Sequence, residues 1–303
     1  MKNQNSPNSK NRFPERPNEG RDFLREWQRR RLALPFSEGS SGPENVTALC
    51  YCFGTEEWIT SHFPFFLSAL REVWRCCGML KTVFVANIPA KALMGLRERH
   101  PRWVDIRIID TLVAEPFPDD INSMSLDMDA NLADHFETDY VLIFQDDGFP
   151  LRPGLERFLG RYDYYGSPLR SMNFVQFLKG TFTGVWPSNG GFSLRSRKCC
   201  ELANRIFRER YAGRSYSRRF CEDIFYSAFL PRRHKNYRRN ITIAPFTHSR
   251  HFSFEGFNKD NDLKPRSPCP FGFHSSRGFA YLYRNHILPS GLVFPDLAPP
   301  PQS

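Results

Sequence analysis

Two adjacent carboxylates, Asp146 and Asp147, close the apolar run Tyr140–Val141–Leu142–Ile143–Phe144, with Gln145 before them and Gly148 behind. Hard cations such as Mg²⁺ and Mn²⁺ take oxygen ligands, usually one or two carboxylates completed by substrate phosphates. Such a pair is therefore able to hold a divalent cation against a phosphorylated ligand. Aspartates after a strand also cap turns and helices, so the structural reading stands beside the metal one. A short apolar run stopped by turn residues reads as a strand buried on both faces, and open α/β sheets bind ligands beyond the carboxyl ends of their strands. Alternation puts Gln145 and Asp147 on one side and Asp146 on the other, which favours Asp147 with Gln145 as the ligand pair.

Further along, Asn189–Gly190–Gly191–Phe192–Ser193–Leu194–Arg195 combines two glycines with an arginine suited to phosphate or carboxylate. Read alone, Asn-Gly is the strongest short hairpin signal, and a turn is expected here. Glu222–Asp223 opens a helical stretch; acids there answer the helix dipole, or one of them takes a proton from a substrate hydroxyl. Phe252–Ser253–Phe254–Glu255 and Pro270–Phe271–Gly272–Phe273–His274 bring a late acid and a late imidazole. A histidine among aromatics is usually a core residue, but neutral imidazole is also a common metal ligand, and His274 completes a Gln/Asp/His site if the chain returns to the strand tip. Arginines between Arg205 and Arg239 form either a solvated face or a groove for a polyanion or a diphosphate.

Hydrophobic periodicity supplies the elements that must position these groups. Strands are expected at Val46–Cys52, Lys81–Ala86, Val104–Asp110 and Tyr140–Phe144. Helices are expected over Glu56–Arg75, where Pro64 should kink the helix or mark its start, and over Pro89–Arg99 and Ser123–Phe136. This alternating order predicts a mostly parallel sheet covered by helices. The second half is less regular. Short helices are expected at Leu155–Leu159, Lys198–Arg210 and Cys221–Leu230, the last stopped by Pro231. An edge segment is expected at Asp163–Pro168, a strand at Ile241–Phe246 and another strand leading in from Phe182–Trp186. The stretch from His251 to His274 reads as loop.

At 303 residues, with 40% hydrophobic and 15% aromatic residues including 29 Phe, the chain has material for a sizeable core. A net charge of +10 points to an anionic partner or to charged tails. None of the 8 cysteines has C-x-x-C spacing, and several sit among apolar residues, which favours a reducing, cytoplasmic setting. The amino terminus has no signal-peptide core and no apolar run is long enough to span a bilayer. Residues 1–44 read as a basic, largely disordered leader. Within it Arg21–Leu34, with Phe23, Leu24 and Trp27 at helical spacing, reads as a short basic helix: a loosely docked extension, or else an arm in peripheral contact with an anionic membrane or with nucleic acid. Residues 45–288 form the folded domain, divided into 45–148 and 149–288, and 289–303 a mobile Pro-rich tail.

In this order the motifs resemble a family of uncharacterised GT-A-like domains related to nucleotide-sugar glycosyltransferases. The features that carry the resemblance are the Gln-x-Asp strand tip at Gln145–Asp147, the Asn-Gly-Gly-x-Ser-Leu-Arg stretch at Asn189–Arg195, the Glu222–Asp223 helix start and the late Gly-x-His at Gly272–His274. The resemblance implies an α/β GT-A-like domain with a mostly parallel sheet and a smaller mixed C-terminal part. Residues 45–148 would be its nucleotide-binding half and 149–288 its acceptor half. It implies Asp147 and His274 as ligands of Mn²⁺ or Mg²⁺, and Gln145, Asp146, Asp147 and Arg195 as the donor-binding set. Asn189, Gly190, Gly191 and Glu255 would line the sugar or acceptor pocket, and Asp223, with Glu222 beside it, would be the base of an inverting transfer. Gln145 stands where GT-A folds carry the first acid of an Asp-x-Asp motif, and losing that charge weakens a cation site. The implied partners are a nucleotide-sugar donor and a glycan, lipid or protein acceptor. Two other readings remain open: a nucleic-acid-binding module using the arginine cluster, with steep salt dependence, and a degenerate transferase fold kept as a scaffold.

Overall fold

The computed structural model describes residues 19–36, 39–109, 121–169, 187–212, 222–255, 263 and 267–298. The chain opens on α1 (Glu19–Ala33) and then alternates: β1 (Val46–Cys52), α2 (Glu56–Cys77), β2 (Lys81–Ala86), α3 (Lys91–Arg99), β3 (Val104–Ile108), α4 (Ile121–Asn131) and β4 (Tyr140–Ile143). After β4 come β5 (Gly148–Pro150), β6 (Tyr164–Pro168), β7 (Ser188–Ser196) and α5 (Arg197–Arg210). A six-stranded sheet runs in the order β3-β2-β1-β4-β7-β6. β1 to β4 are parallel, as the alternating helices predict, but β7 is antiparallel to both β4 and β6, so the sheet is mixed.

The period-2 alternation of the strands divides the core in two. Ala48, Cys50 and Cys52 of β1, Leu142 of β4 and Phe192 and Leu194 of β7 face one cluster, which α2 and the late aromatics complete. Leu49 and Tyr51, Val141 and Ile143 face a second cluster against α4 and α5. All seven residues of β1 are buried, as a strand covered on both faces requires. The six cysteines of β1, α2 and α5 are free and buried in these layers. Thr55 caps α2 by accepting from the Trp58 N–H at 3.2 Å, and the helix runs on through Pro64 rather than starting there.

Several expectations are corrected. Asn189–Gly191 is not a hairpin turn; it lies inside the nine-residue β7. The stretch His251–His274 contributes two strands, β8 (Ser253–Glu255) and β9 (Gly272–His274), which join β5 in a three-stranded sheet of order β5-β9-β8. Their alternating Phe-Ser-Phe and Phe-Gly-Phe patterns are too short for periodicity to separate from loop. Ile241–Phe246 forms only a bridge from Ile243 to Tyr164 before Pro245 caps the helix Phe246–Phe252. Pro231 does not stop the helix that begins at Glu222. A π-helical turn at Phe225–Phe229 moves the Leu230 N–H onto the Phe225 carbonyl, five residues back, and the α-helix resumes over Leu230–Arg233.

The helix of the leader is packed into the body of the protein. Trp27 is fully buried, its ring 5.9 Å from Phe149 and 4.8 Å from Phe279, and its indole N–H donates to the Leu292 carbonyl at 2.8 Å. Arg31 and Arg75 both pair with the buried Glu72, at 2.7 and 2.6 Å. α1 is thus part of the core, not a loosely docked extension, and the carboxyl-terminal stretch is held against it through the buried Leu292. No described helix is long and apolar enough to cross a membrane. Residues 1–18, 182–186, 213–221 and 299–303, on which some expectations fall, lie outside the described residues.

Candidate active site

β4 ends at Ile143, and Gln145 and Gly148 then pair across a tight turn, N–H to carbonyl at 2.8 and 3.2 Å, with Asp146 and Asp147 at its corner. The turn sends the chain straight into β5. β9 pairs with β5 so that His274 lies opposite Gly148, and β8 pairs with β9 so that Glu255 lies opposite His274. Two three-residue strands therefore deliver the late acid and imidazole to the acidic tip.

His274 Nδ1 sits 2.9 Å from Glu255 Oε2, which turns Nε2 toward Gln145 Oε1 at 3.2 Å and Asp147 Oδ1 at 3.7 Å. Burial alone would lower the His274 pKa, but Glu255 and then Asp147 outweigh it and raise it to about 10, so the ring is an imidazolium at neutral pH. Burial raises the Asp147 carboxyl above its ordinary range; His274 works against this, while Asp146 and Glu255 add to it. The Asp147 side chain keeps 35% exposure and faces the cleft.

The glycines of β7 make room for this group. A Cβ on Gly191 would lie 2.3 Å from His274 Nε2 and 2.5 Å from Gln145 Oε1; one on Gly190 would lie 2.4 Å from both Glu222 carboxylate oxygens. Here glycine serves close approach rather than a turn. The Gly190 N–H donates to Asp223 Oδ1 at 2.7 Å, and the Gly191 N–H to Asn189 Oδ1 at 2.9 Å. Asp223, half-buried at the head of the π-bulged helix, is thereby oriented from the strand that also touches His274.

Three of the expected residues have other roles. Arg195 is fully buried: its Nε donates to Ser193 Oγ at 3.1 Å, its Nη2 lies 3.4 Å from Glu222 Oε2, and its guanidinium rests 4.5 Å from the Tyr226 ring centre. It does not reach a donor in the cleft. Glu222 is buried against it. Burial, reinforced by Asp223, pushes the Glu222 carboxyl well above its ordinary range, with Arg195 opposing, so it is not the exposed base of the pair. Asp146 turns away from His274 and pairs with Arg25 at 2.5 Å, while Gln28 Nε2 donates to the Asp146 carbonyl at 2.6 Å. Arg25 itself lies 3.8 Å over the Phe65 ring. Sequence reasoning missed Arg25 and Gln28, which sit among other charged and polar residues of α1 and carry no spacing signal. It also missed Asp129, fully buried with both carboxylate oxygens without hydrogen-bond partners, which burial and then Glu222 push well up in pKa.

As a cation site the tip offers one carboxylate, one imidazole and the Gln145 amide oxygen. Among the described residues no group of three or more His, Cys, Asp or Glu is arranged to hold a metal ion. Asp147 and His274 thus suit a cation completed by a ligand's phosphates, provided His274 gives up its proton. A cavity of about 240 Å³ opens beside Asp146 and Asp147. Cavities of about 400 and 570 Å³ lie elsewhere: the first is lined by Asn45, Lys81 and Asp139 at the amino ends of β1, β2 and β4, the second by Trp74, Gly78 and Pro153. The smaller cavity is the relevant one, because it lies at the carboxyl end of β4 where this architecture binds ligands.

No curated protein matches the sequence. Among solved structures, the apo form of the glycosyltransferase GlyE of Streptococcus pneumoniae TIGR4 superposes with a TM-score of 0.45 at 14% identity, over 78% of this chain and 54% of that one. The mannosyltransferase Ktr4p of S. cerevisiae gives 0.36 at 9% identity, over 62% and 71%. The mannosyltransferase PcManGT of Pyrobaculum calidifontis, solved with GDP-Man and Mn²⁺, gives 0.33 at 12% identity, over 61% and 54%. The chain spans about half the length of GlyE and of PcManGT. The model of the family described as protein of unknown function (DUF5672) matches residues 109–274, a stretch that takes in the turn at Asp147, the glycines of β7, Asp223, Glu255 and His274. That match covers more than half of the chain, and the chain belongs to the DUF5672 family.

Proposed function

We propose that this protein transfers a sugar from a nucleoside-diphosphate donor to an acceptor hydroxyl, with inversion at the anomeric carbon. One observation carries the reading: Gly190 and Gly191 of a single strand touch both halves of such a site, Gly190 donating to Asp223 at 2.7 Å while Gly191 abuts His274 and Gln145. An anion-stabilising pole and an ionisable base thus flank one short stretch of backbone.

In this reading Asp223 accepts the acceptor's proton as its oxygen attacks the anomeric carbon, and the bond from that carbon to the diphosphate breaks. The Gly190 N–H holds one Asp223 oxygen and so orients the carboxylate. His274, kept as an imidazolium by Glu255, faces the charge that develops on the leaving diphosphate. Gln145 Oε1 and Glu255 fix the ring between them. Glu222 holds the buried Arg195 and orients its neighbour. Asp147 and His274 are the residues that would hold Mn²⁺ or Mg²⁺ once His274 had lost its proton, and such a cation would then supply the positive charge in place of the imidazolium. Asn189, Gly190 and Gly191 line the pocket for the donor sugar or the acceptor.

The test is a donor-consumption screen over nucleoside-diphosphate sugars, with and without Mn²⁺. The expected result is turnover of at least one donor, lost in Asp147→Ala and Asp223→Asn. No turnover and no donor-dependent thermal shift across the panel would overturn the proposal.

A further inference from the structure

Apart from Asp146 and Asp147, the cavity at the acidic tip is walled by parts of the chain outside the family-matched segment 109–274. Arg21 and Arg25 of α1, Trp58 and His62 of α2, and Asp146 and Asp147 of the turn line it. We propose that this cavity binds the nucleoside diphosphate, with Arg21 and Arg25 engaging its phosphates and the Trp58–His62 pair forming the wall for its base. The inference rests on the transfer reading above and extends it to the amino-terminal helix.

The observations are independent of that reading. Arg25 is held from two sides, by Asp146 at 2.5 Å and by the Phe65 ring at 3.8 Å, and its side chain is only 13% exposed. A guanidinium locked in place loses little freedom when it binds, and its planar fork suits phosphate oxygens. Pairing with Asp146 consumes part of its charge, and the exposed Arg21, one helical turn earlier on the same wall, adds a second cation. On α2, in the same lining, the Trp58 indole and the His62 imidazole stack at 4.1 Å and 16°. Trp58 keeps 40% exposure although it is one of the largest apolar side chains of the protein. An aromatic pair left open to solvent beside two arginines suits a ligand with a planar, apolar end and an anionic end. Asp146 then contributes as well, because by holding Arg25 it ties α1 to the turn that presents Asp147.

Binding of UDP, GDP, CDP and ADP, each with Mn²⁺, is measured calorimetrically on the full chain and on variants. Arg21→Gln is expected to weaken the nucleotide that binds wild type by about tenfold or more, with the melting temperature measured alongside to separate binding from stability. Trp58→Leu is expected to weaken it by a similar factor and to reduce the quenching of tryptophan fluorescence. Arg29→Gln, a substitution on the same helix at a side chain 62% exposed to solvent, should leave affinity unchanged. Nucleotide binding that is lost in Asp147→Ala but unmoved in Arg21→Gln and Trp58→Leu would place the donor elsewhere in the cleft and overturn this inference, while the transfer reading stood. No binding of any nucleoside diphosphate to wild type would overturn both.

Discussion

Among the described residues, histidine and carboxylate meet in two places, with opposite outcomes. Under α4, Asp127 Oδ2 receives His135 Nε2 at 2.7 Å and the Tyr51 hydroxyl at 2.9 Å, while Oδ1 receives the Asn131 amide at 2.8 Å. Each carboxylate oxygen is satisfied and the group is nearly sealed from water. At the strand tip, Glu255 holds His274 at 2.9 Å, but Glu255 Oε1 is buried without a partner and Asp147 stays about one-third exposed beside a cavity. The same residue types therefore build a closed network in one place and an unfinished one in the other. Buried polar groups without partners are uncommon and call for an explanation, and a site that awaits a ligand is one. Residue types do not distinguish these two networks; completeness of partners and access to solvent do.

The comparison is broken most directly by removing one acid from each region. Asp223→Asn should lower sugar transfer by about 10²- to 10⁴-fold, the usual range for a general base, and leave the melting temperature close to wild type. Steady-state rates beside thermal denaturation check this, and a large loss of stability with little loss of rate would reverse the assignment. Asp127→Ala should do the opposite. It leaves His135, Asn131 and Tyr51 without their acceptor and should cost about 2–4 kcal/mol, read from urea unfolding, with transfer per folded molecule retained.

Metal and proton sharpen the contrast. Because His274 holds its proton up to a pKa of about 10, Mn²⁺ must displace it. Affinity should therefore rise by about tenfold per pH unit from neutrality upward, with about one proton released per ion. Calorimetry in buffers of different ionisation enthalpy measures that release, and a pH-independent affinity would remove His274 from the ligand set.

The smallest effects are on stability against pH, and the two regions have opposite signs. For Asp127, burial acts to raise the pKa, but the bonds led by His135 outweigh it and hold the folded value below the unfolded one. Its contribution is present above the unfolded pKa and is lost as pH falls through the folded value. His274 has a folded pKa above its unfolded value, so its contribution is complete below about 6.5 and is lost as pH rises toward about 10. Unfolding curves of Asp127→Asn and His274→Gln against wild type should diverge in their pH dependence at the acid and the alkaline end respectively.

Much of the first half was legible because it is local. β1, β2 and α2 follow from apolar runs and from helical spacing that each segment carries within itself. Asp147 stands out because an acidic pair ends a buried strand, where open α/β sheets bind ligands, and the turn places it beside a cavity. The glycines of β7 signalled a special backbone, but Asn-Gly suggested a turn where the chain needed clearance for Glu222 and His274. Arg195 carried a binding signal that burial cancelled, since no spacing announces that Glu222 and two tyrosine rings will enclose it.

The sequence by itself determined which faces of the strands are apolar, that helices alternate with strands, and that an acidic turn ends β4. Only the tertiary structure decided what meets that turn. Arg25 reaches Asp146 across 121 positions from the helix α1, and His274 reaches Gln145 across 129 from a strand three residues long. Periodicity is a property of neighbours along the chain, whereas these contacts depend on how packed layers bring remote segments together. A short strand carries too few residues to show a period, and a lone arginine carries none.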